Sequence, residues 1–414
     1  MAADLSVDFA GIRLATPFLL ASAPPSNPRP GAFQRALNAG WGGAVTRTAP
    51  VGGNFRGHQG YRTRGWISRE TDFVDKPPFM YAFQNSTWVL YGSADSITPV
   101  GYRETIEEAK EAGLPIGVSV AAVNPDYWVE LVKGAEEAGA DFVEMNMGAA
   151  YMPRFGVRVY RDPSLAAEVV KKVKDSCNIP IMIKTNAFLF REELQELARA
   201  LEAAGADGIS VTNTIPGLIG VDIETGKPIA TLIDEKGNER GSYGPISGPA
   251  IKPFALRAVM DIVQAVNIPV TAIGGISNWE SAVEFIMVGA HHVQIGTSAM
   301  LYGYGMAKGL VEGLTNFMER KGYSTIEDFR GVTTDKYMAD GYLGGMFSQP
   351  VRMEVDAEKC TSCGRCVLAC ESTATTAMRM VKKKAVCNHD ICIQCYMCRL
   401  VCPEGAVTTR RIEA

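Results

Sequence analysis

Through the first three hundred residues, short apolar runs alternate with amphipathic stretches. The runs are FLLASA (18–23), AVTRTA (44–49), PIGVSV (115–120), FVEMNM (142–147), PIMIKT (180–185), GISVTN (208–213), PVTAIG (269–274) and HVQIGT (292–297). Each has the length of a strand, and most are rich in aliphatic or β-branched residues, as a strand buried on both faces should be. Between several of them lie RETIEEAKEAG, DYWVELVKGAEEAG and REELQELARALEAAG, whose closing glycines predict helix C-termini. A weak internal repeat runs through NAGWGGAVTR (38–47), AGADFVEMN (138–146), AGADGISVTN (204–213) and VGAHHVQIGT (288–297), each a small-residue turn feeding a strand. Repeated units with eight strands predict an α/β fold, a (β/α)8 TIM barrel over residues 1–325. An open doubly wound sheet is the competing topology, weakened because no G-x-G-x-x-G follows the first strand.

Two connections exceed a plain barrel turn. One, near 50–114, carries Tyr61, Trp66, Tyr81, Trp88 and Tyr91 among glycines and arginines. The other, 214–248, contains DIETGKPIATLIDEKGNERG and reads as a hairpin or excursion. Loops this long cover a site or form an interface. Barrel active sites lie at the C-terminal ends of the strands. That rule selects Arg47 and Thr48, Asn124, Asn146, Lys184, Asn213 with Thr214, Gly274 with Gly275, and Gly296 with Thr297.

Composition narrows the function classes. The 414 residues are 47% hydrophobic and 21% charged, ordinary for a water-soluble globular chain and enough for a barrel plus an appendage. A net charge of −4 gives no basic field for nucleic acid or an anionic membrane. No run of eighteen apolar residues predicts a membrane span, and MAADLSVDFAG lacks the basic-then-apolar order of a signal peptide. Clustered cysteines in such a chain point to metal chemistry in a reducing compartment, with the cytoplasm as the expectation.

Eight of the ten cysteines form two runs of the same spacing, C-x2-C-x2-C-x3-C: Cys360, Cys363, Cys366, Cys370 and Cys392, Cys395, Cys398, Cys402. Three thiolates within seven residues crowd one centre while the fourth points away, which suits a pair of [4Fe–4S] clusters exchanging their fourth ligands. The spacing therefore predicts Cys360, Cys363, Cys366 and Cys402 on one cluster, and Cys392, Cys395, Cys398 and Cys370 on the other. Zinc, the alternative, favours paired C-x2-C units. Pro403 follows the second run, whereas Glu371 follows the first. Cys177 and Cys387 are expected to be buried, inert thiols. Residues 351–414 thus read as a small ferredoxin-like domain, joined by a linker over 326–350 that includes DGYLGGMFSQP (340–350). Paired clusters move single electrons, so a partner cofactor that handles two is needed, and a flavin does this.

The barrel offers a place for one. AIGGISNWES after strand seven and IGTSAM after strand eight supply glycines whose amides can approach a phosphate, although glycines at such turns can also serve the turn alone. Lys184 is a lysine on a buried strand whose charge needs a partner, either the N1–C2=O edge of a flavin or a salt bridge in the barrel mouth.

These stretches together resemble the dihydropyrimidine dehydrogenase family and, more distantly, dihydroorotate dehydrogenase. The similarity covers nearly the full length and includes LSVDFAGIRLATPFLLASAP, NAGWGGAVTRT, NPDYW, EAGADFVEMN, IPIMIKT, GADGISVTNT, SGPAIKPFALR, IPVTAIGGISNWESAVEFIMVGA and both cysteine runs. The resemblance implies FMN in the barrel. It implies Ala21 and Ser22 beside the flavin, Lys184 on its ring, and Gly248, Gly274, Gly275, Gly296 and Thr297 around the phosphate. It also makes Asn124, Asn146, Asn213 and Thr214 the polar set facing a small planar unsaturated substrate. The activity implied is oxidation or reduction of a conjugated C=C bond, with dihydropyrimidine/pyrimidine interconversion as the family default.

The chain departs from the family at the mobile loop after strand four. There the usual proton-exchanging cysteine of N-L-S-C-P is replaced within NMGAAYMPRFG, so that Gly148 stands for the serine and Ala149 for the cysteine. Arg47 stands for the strand-two lysine, and a permanently charged, planar fork suits a carboxylate or carbonyl better than proton donation; a structural ion pair is its alternative. Tyr151, beside Arg154 or Arg158, is the candidate replacement acid, with His58 and water as competitors. Two other readings follow: reduction of a different unsaturated or aromatic acid, or an electron-transfer subunit with no substrate of its own. No nicotinamide fingerprint occurs in the chain, so a separate electron donor or acceptor protein is expected, a ferredoxin or an FAD/NAD(P)H subunit, in an oligomeric or heteromeric complex.

Overall fold

The computed structural model describes residues 3–26, 31–51, 64–66, 82–84, 100–122, 124–148, 159–218, 221–228, 231–233, 239–241, 244–337, 351–373 and 375–411. All eight apolar runs form the strands of one parallel, closed barrel: Phe18–Leu20, Gly43–Val45, Ile116–Ala122, Phe142–Asn146, Ile181–Lys184, Gly208–Val211, Val270–Ile273 and His292–Ile295. Closure is explicit in the register, for strand one pairs with strand eight through Val293↔Phe18 and with strand two through Leu19↔Gly43. The open-sheet topology is thereby excluded.

A ring of helices follows the strands in turn: Ala32–Ala39, Val100–Ala112, Pro125–Glu137, Pro163–Lys174, Arg191–Ala203, Lys252–Val263, Trp279–Met287 and, after strand eight, Thr297–Tyr302 with Met306–Lys321. The helices at 100–112, 125–137 and 191–203 are followed closely by Gly113, Gly139 and Gly205, all at positive φ. Their buried positions recur at helical spacing, as in Leu194, Leu197, Ala198 and Leu201, and this stripe lies against the barrel.

The barrel floor is closed by an element that periodicity did not announce. Val7–Phe9 and Ile12–Leu14 form a hairpin over Ala10 and Gly11, both at positive φ. Its Phe9 is 1% exposed and meets Phe142 edge-on at 5.4 Å and His292 at 4.4 Å. Both partners are the first residues of their strands, so the hairpin plugs the N-terminal end and leaves the other end for chemistry.

The long connections differ in part from the expected inserts. The last portion of 50–114 is the barrel helix Val100–Ala112; earlier, Ala49–Val51 extends alongside strand three and Arg64–Trp66 pairs with Ala82–Gln84. The 214–248 segment contains two antiparallel ribbons, Ile215–Gly217 with Gly244–Ile246 and Thr231–Ile233 with Glu239–Gly241, the expected hairpin. The expected linker boundary at 326 needs correction. Ile326 and Phe329 are buried, while Gly331 N and Thr333 N donate to Ile286 O and Met287 O, so the barrel unit extends to Lys336. Residues 338–350 lie outside the described residues.

The second unit has two matching halves. Strand Val351–Val355, a cysteine loop, helix Arg365–Ser372 and strand Met378–Val381 are followed by Lys384–Cys387, a second cysteine loop, helix Met397–Leu400 and Val407–Arg411. The outer strands pair with each other, as do the inner ones. This is a ferredoxin-like arrangement. Among the described residues no helix is long and apolar enough to cross a membrane.

Candidate functional site

At the C-terminal end of the barrel strands lies an open cavity. Its wall includes Ala21, Ser22 and Ala23 after strand one, Lys184 from strand five, and Thr212, Asn213 and Thr214 after strand six. Ser247 and Gly248 come from the end of the ribbon segment, Gly274 and Gly275 from strand seven, and Gln294, Gly296 and Thr297 from strand eight. Every residue expected to touch a cofactor therefore stands around one space.

Gly275 shows why side chains are excluded from part of this wall. Its φ is +78°, and a Cβ there would lie 2.5 Å from Cβ of Lys252 and 2.8 Å from its backbone nitrogen. Only glycine lets the chain turn this tightly while leaving backbone exposed to a ligand. Opposite, the Thr297 hydroxyl donates to Ser247 Oγ at 2.8 Å, joining the strand-eight turn to the segment that carries Gly248.

The floor of the cavity is polar and buried. Lys184 Nζ lies 3.1 Å from Glu144 Oε1, and their side chains are 6% and 0% exposed. The salt-bridge alternative for Lys184 is thus present, and it coexists with a place on the cavity wall. Glu144 also accepts from Ser119 Oγ at 3.4 Å, Ser210 Oγ at 3.1 Å and Gln294 Nε2 at 3.0 Å. Sequence reasoning missed Glu144, although a carboxylate inside the apolar run FVEMN was a signal. Gln294 Oε1 is buried with no hydrogen-bond partner among the described residues. A buried, unpaired acceptor on a cavity wall fits a ligand that brings N–H or O–H groups, as a flavin with its ribityl chain does.

Beside this floor runs the expected substrate-facing set. Asn213 Nδ2 donates to Asn146 Oδ1 at 2.8 Å, Asn146 Nδ2 to Thr48 Oγ1 at 3.0 Å, and Thr214 N to Asn213 Oδ1 at 2.8 Å. Thr48 Oγ1 also lies 3.2 Å from Ser22 Oγ and 2.8 Å from Ser119 Oγ, linking this chain to the Glu144 network. Arg47 is half-buried and sits between strand two and Thr48. Of this set Asn213 and Thr214 line the cavity, whereas Asn146, Arg47 and Asn124 do not. Asn124 caps helix Pro125–Glu137, its Oδ1 accepting from Tyr127 N at 2.9 Å. The signal was legible, since Asn before Pro at a helix start is a capping pair.

The loop that departs from the family pattern leaves strand four at Gly148. A Cβ at that position would lie 2.5 Å from the Thr185 carbonyl, and Asn186 Nδ2 donates to Gly148 O at 3.0 Å. The chain is held against strand five more closely than a serine would permit. Ala149, Tyr151, Arg154, Arg158 and His58 lie outside the described residues.

In the second unit the cysteines ring two voids. One is lined by Cys360, Cys363, Cys366 and Cys402; the other by Cys370, Cys392, Cys395 and Cys398. Backbone N–H groups face sulfur as well: Met378 N donates to Cys370 Sγ at 3.3 Å and Ala406 N to Cys402 Sγ at 3.2 Å. Such donors stabilise the negative charge of ligated sulfur. The two remaining cysteines differ. Cys177 is buried and donates to Val173 O at 3.1 Å, as expected, but Cys387 is only half-buried at the end of its strand. Burial, then the neighbouring Cys392, pushes the Cys387 thiol up to about 12.

Comparison with known proteins agrees with this two-part organisation. Residues 99–318 match the family model described as dihydroorotate dehydrogenase, and residues 352–403 match a 4Fe-4S dicluster domain. The chain is 28% identical over 427 residues to the NAD-dependent dihydropyrimidine dehydrogenase subunit PreA of Escherichia coli K12, covering 99% of this chain and 96% of that one. It is 32% identical over 330 residues to the catalytic subunit of dihydroorotate dehydrogenase B (NAD(+)) of Pyrococcus abyssi, covering 79% of this chain and 98% of that one. The corresponding subunit of Thermococcus kodakarensis is 30% identical over 333 residues, with 80% and 99% covered.

Proposed function

The chain belongs to the dihydroorotate dehydrogenase family of FMN-dependent oxidoreductases acting on CH–CH bonds, with a two-cluster [4Fe–4S] domain added, and we propose that it interconverts a dihydropyrimidine and a pyrimidine. The observation that carries this reading is the amide chain Asn146–Asn213–Thr214 beside the cavity, whose donors and acceptors suit the alternating N–H and C=O edge of a planar pyrimidine ring. Near full-length similarity to a protein named as a dihydropyrimidine dehydrogenase subunit supports the same choice.

Bound FMN would supply hydride exchange with one carbon of the C=C bond. The residues around it have separable tasks. Ala21 and Ser22 would line the flavin face, Gly248, Gly274, Gly275, Gly296 and Thr297 would surround the phosphate, and Lys184 would place a cation at the ring; all of them line the one cavity. Arg47 steers a substrate carbonyl. Tyr151 holds and donates the proton that the absent loop cysteine would have given. Cys360, Cys363, Cys366 and Cys402 hold one cluster, and Cys370, Cys392, Cys395 and Cys398 the other, following the linings of the two voids. Clusters held there would supply one-electron exchange with a separate protein, in keeping with relatives whose names mark them as subunits.

A second reading has a specific observation behind it. Gly148 and Ala149 remove the family's proton-exchanging side chain, and Arg47 brings a fixed charge, a combination that also suits another unsaturated acid with its carboxylate on Arg47. The experiment is direct. Purified protein, reduced without oxygen by an artificial donor, is mixed with uracil, thymine or a panel of unsaturated acids while flavin absorbance is followed. Reoxidation by a pyrimidine is the expected result. Reoxidation by an acid alone replaces the substrate, and none by either leaves an electron conduit in its place.

A further inference from the structure

Glu144 has no place in the proposed chemistry, yet four side chains from four other strands converge on it. Ser119 comes from strand three, Lys184 from five, Ser210 from six and Gln294 from eight, and they reach it over separations of 25, 40, 66 and 150 residues. The carboxylate is fully buried and does not line the cavity, whereas Lys184 and Gln294 both do. We infer that Glu144 is a positioning residue for the flavin: it holds the Lys184 ammonium and fixes the orientation of the Gln294 amide at the cofactor.

The orientation argument is chemical. An ionised carboxylate only accepts hydrogen bonds, so the Gln294 group facing it must be the NH2. That turns Oε1 the other way, where it has no hydrogen-bond partner among the described residues. It is then an acceptor for an N–H or O–H of the flavin. Lys184 is restrained in a similar manner. A lysine has many rotamers, and a buried ion pair selects the one whose ammonium stays at the floor. The serines occupy remaining acceptor positions on both carboxylate oxygens, so that Glu144 cannot swing to the cavity itself.

A plain core brick would have different consequences, and charge separates the two. Removing Glu144's charge while Lys184 remains leaves an uncompensated cation at the flavin, which favours the electron-rich reduced form and raises the midpoint potential. Removing Lys184 alone leaves an uncompensated anion and lowers it. The test uses full-length protein with its clusters: Glu144→Gln, Lys184→Gln and the double variant. Readouts are FMN affinity by titration of flavin-depleted protein, flavin midpoint potential, and thermal melting before FMN is added. Each single variant is expected to bind FMN roughly tenfold or more weakly, with potentials displaced in opposite directions. The double variant strands no buried charge, so it melts like the wild type while its FMN affinity stays low. Wild-type FMN affinity and potential in Glu144→Gln would overturn the proposal. So would opposite potentials failing to appear, or wild-type FMN affinity in the double variant.

Discussion

His291 and His292 stand side by side at the start of strand eight, and both are held neutral by their surroundings. Burial, then the Arg330 guanidinium, lowers His291 to about 4; burial, then His291 itself, lowers His292 to about 3. In the unfolded chain each takes up a proton near pH 6.5. Between about pH 6.5 and pH 4 the unfolded state therefore binds more protons, and stability falls as the pH falls. The slope is about 1.4 kcal/mol per pH unit for each histidine. Melting temperature measured from pH 7 to pH 5 should drop, and His292→Gln should flatten that slope whatever it does at pH 7. At Gly148 the expected effect is steric. Gly148→Ser, restoring the family residue, should cost about 1–3 kcal/mol because backbone lies where its Cβ must go, read as a lower melting midpoint. The same scale shows what could be read in advance. Lys184 was legible because a cation on an apolar strand demands an explanation. The donors around Glu144 were not, because they lie far apart in sequence and only the strand register, with Ser119 opposite Glu144 and Ser210 opposite Lys184, brings them together. Asn124 stands past a strand and just before a proline, and the helix cap that this pairing predicts is present.

At the scale of elements, periodicity disclosed all eight strands and three of the helices between them, since a doubly buried strand and an amphipathic helix have different repeats. It passed over the hairpin Val7–Leu14, whose three-residue strands are too short to display a period. That hairpin is nevertheless a major part of the core. Phe9→Ala should cost about 3–5 kcal/mol, because the cavity left between Phe142 and His292 cannot easily collapse in a closed barrel. Chemical denaturation with an unchanged slope and a lower midpoint would be the signature. FMN affinity should be little altered, since the plug lies at the end of the barrel away from the cavity.

At the scale of the molecule, charge is divided unevenly along the chain. Residues 351–414 hold ten Lys and Arg against seven Asp and Glu, a net of +3, while the preceding 350 residues hold 31 against 38, a net of −7. A basic electron-transfer domain associates fastest with an acidic carrier, and such steering is screened by salt. Electron exchange with an acidic ferredoxin should therefore slow as ionic strength rises, whereas exchange with a small neutral dye should not. Equal salt dependence for both would remove the electrostatic argument. Deleting residues 351–414 should leave FMN bound and abolish exchange with the protein carrier, measured by flavin absorbance and by carrier oxidation in the same sample.

The two cysteine voids are lined across the halves of their unit: Cys370, which follows the first trio, sits in the second void, and Cys402, which follows the second trio, sits in the first. Maturation inherits that crossover. A nascent chain that has displayed only Cys360 to Cys370 owns neither complete quartet, so an iron-donating scaffold has nothing finished to load until Cys398 emerges, and the first trio waits for Cys402. The damage is shared in the same way: serine at Cys370 should leave its own trio intact and empty the neighbouring one.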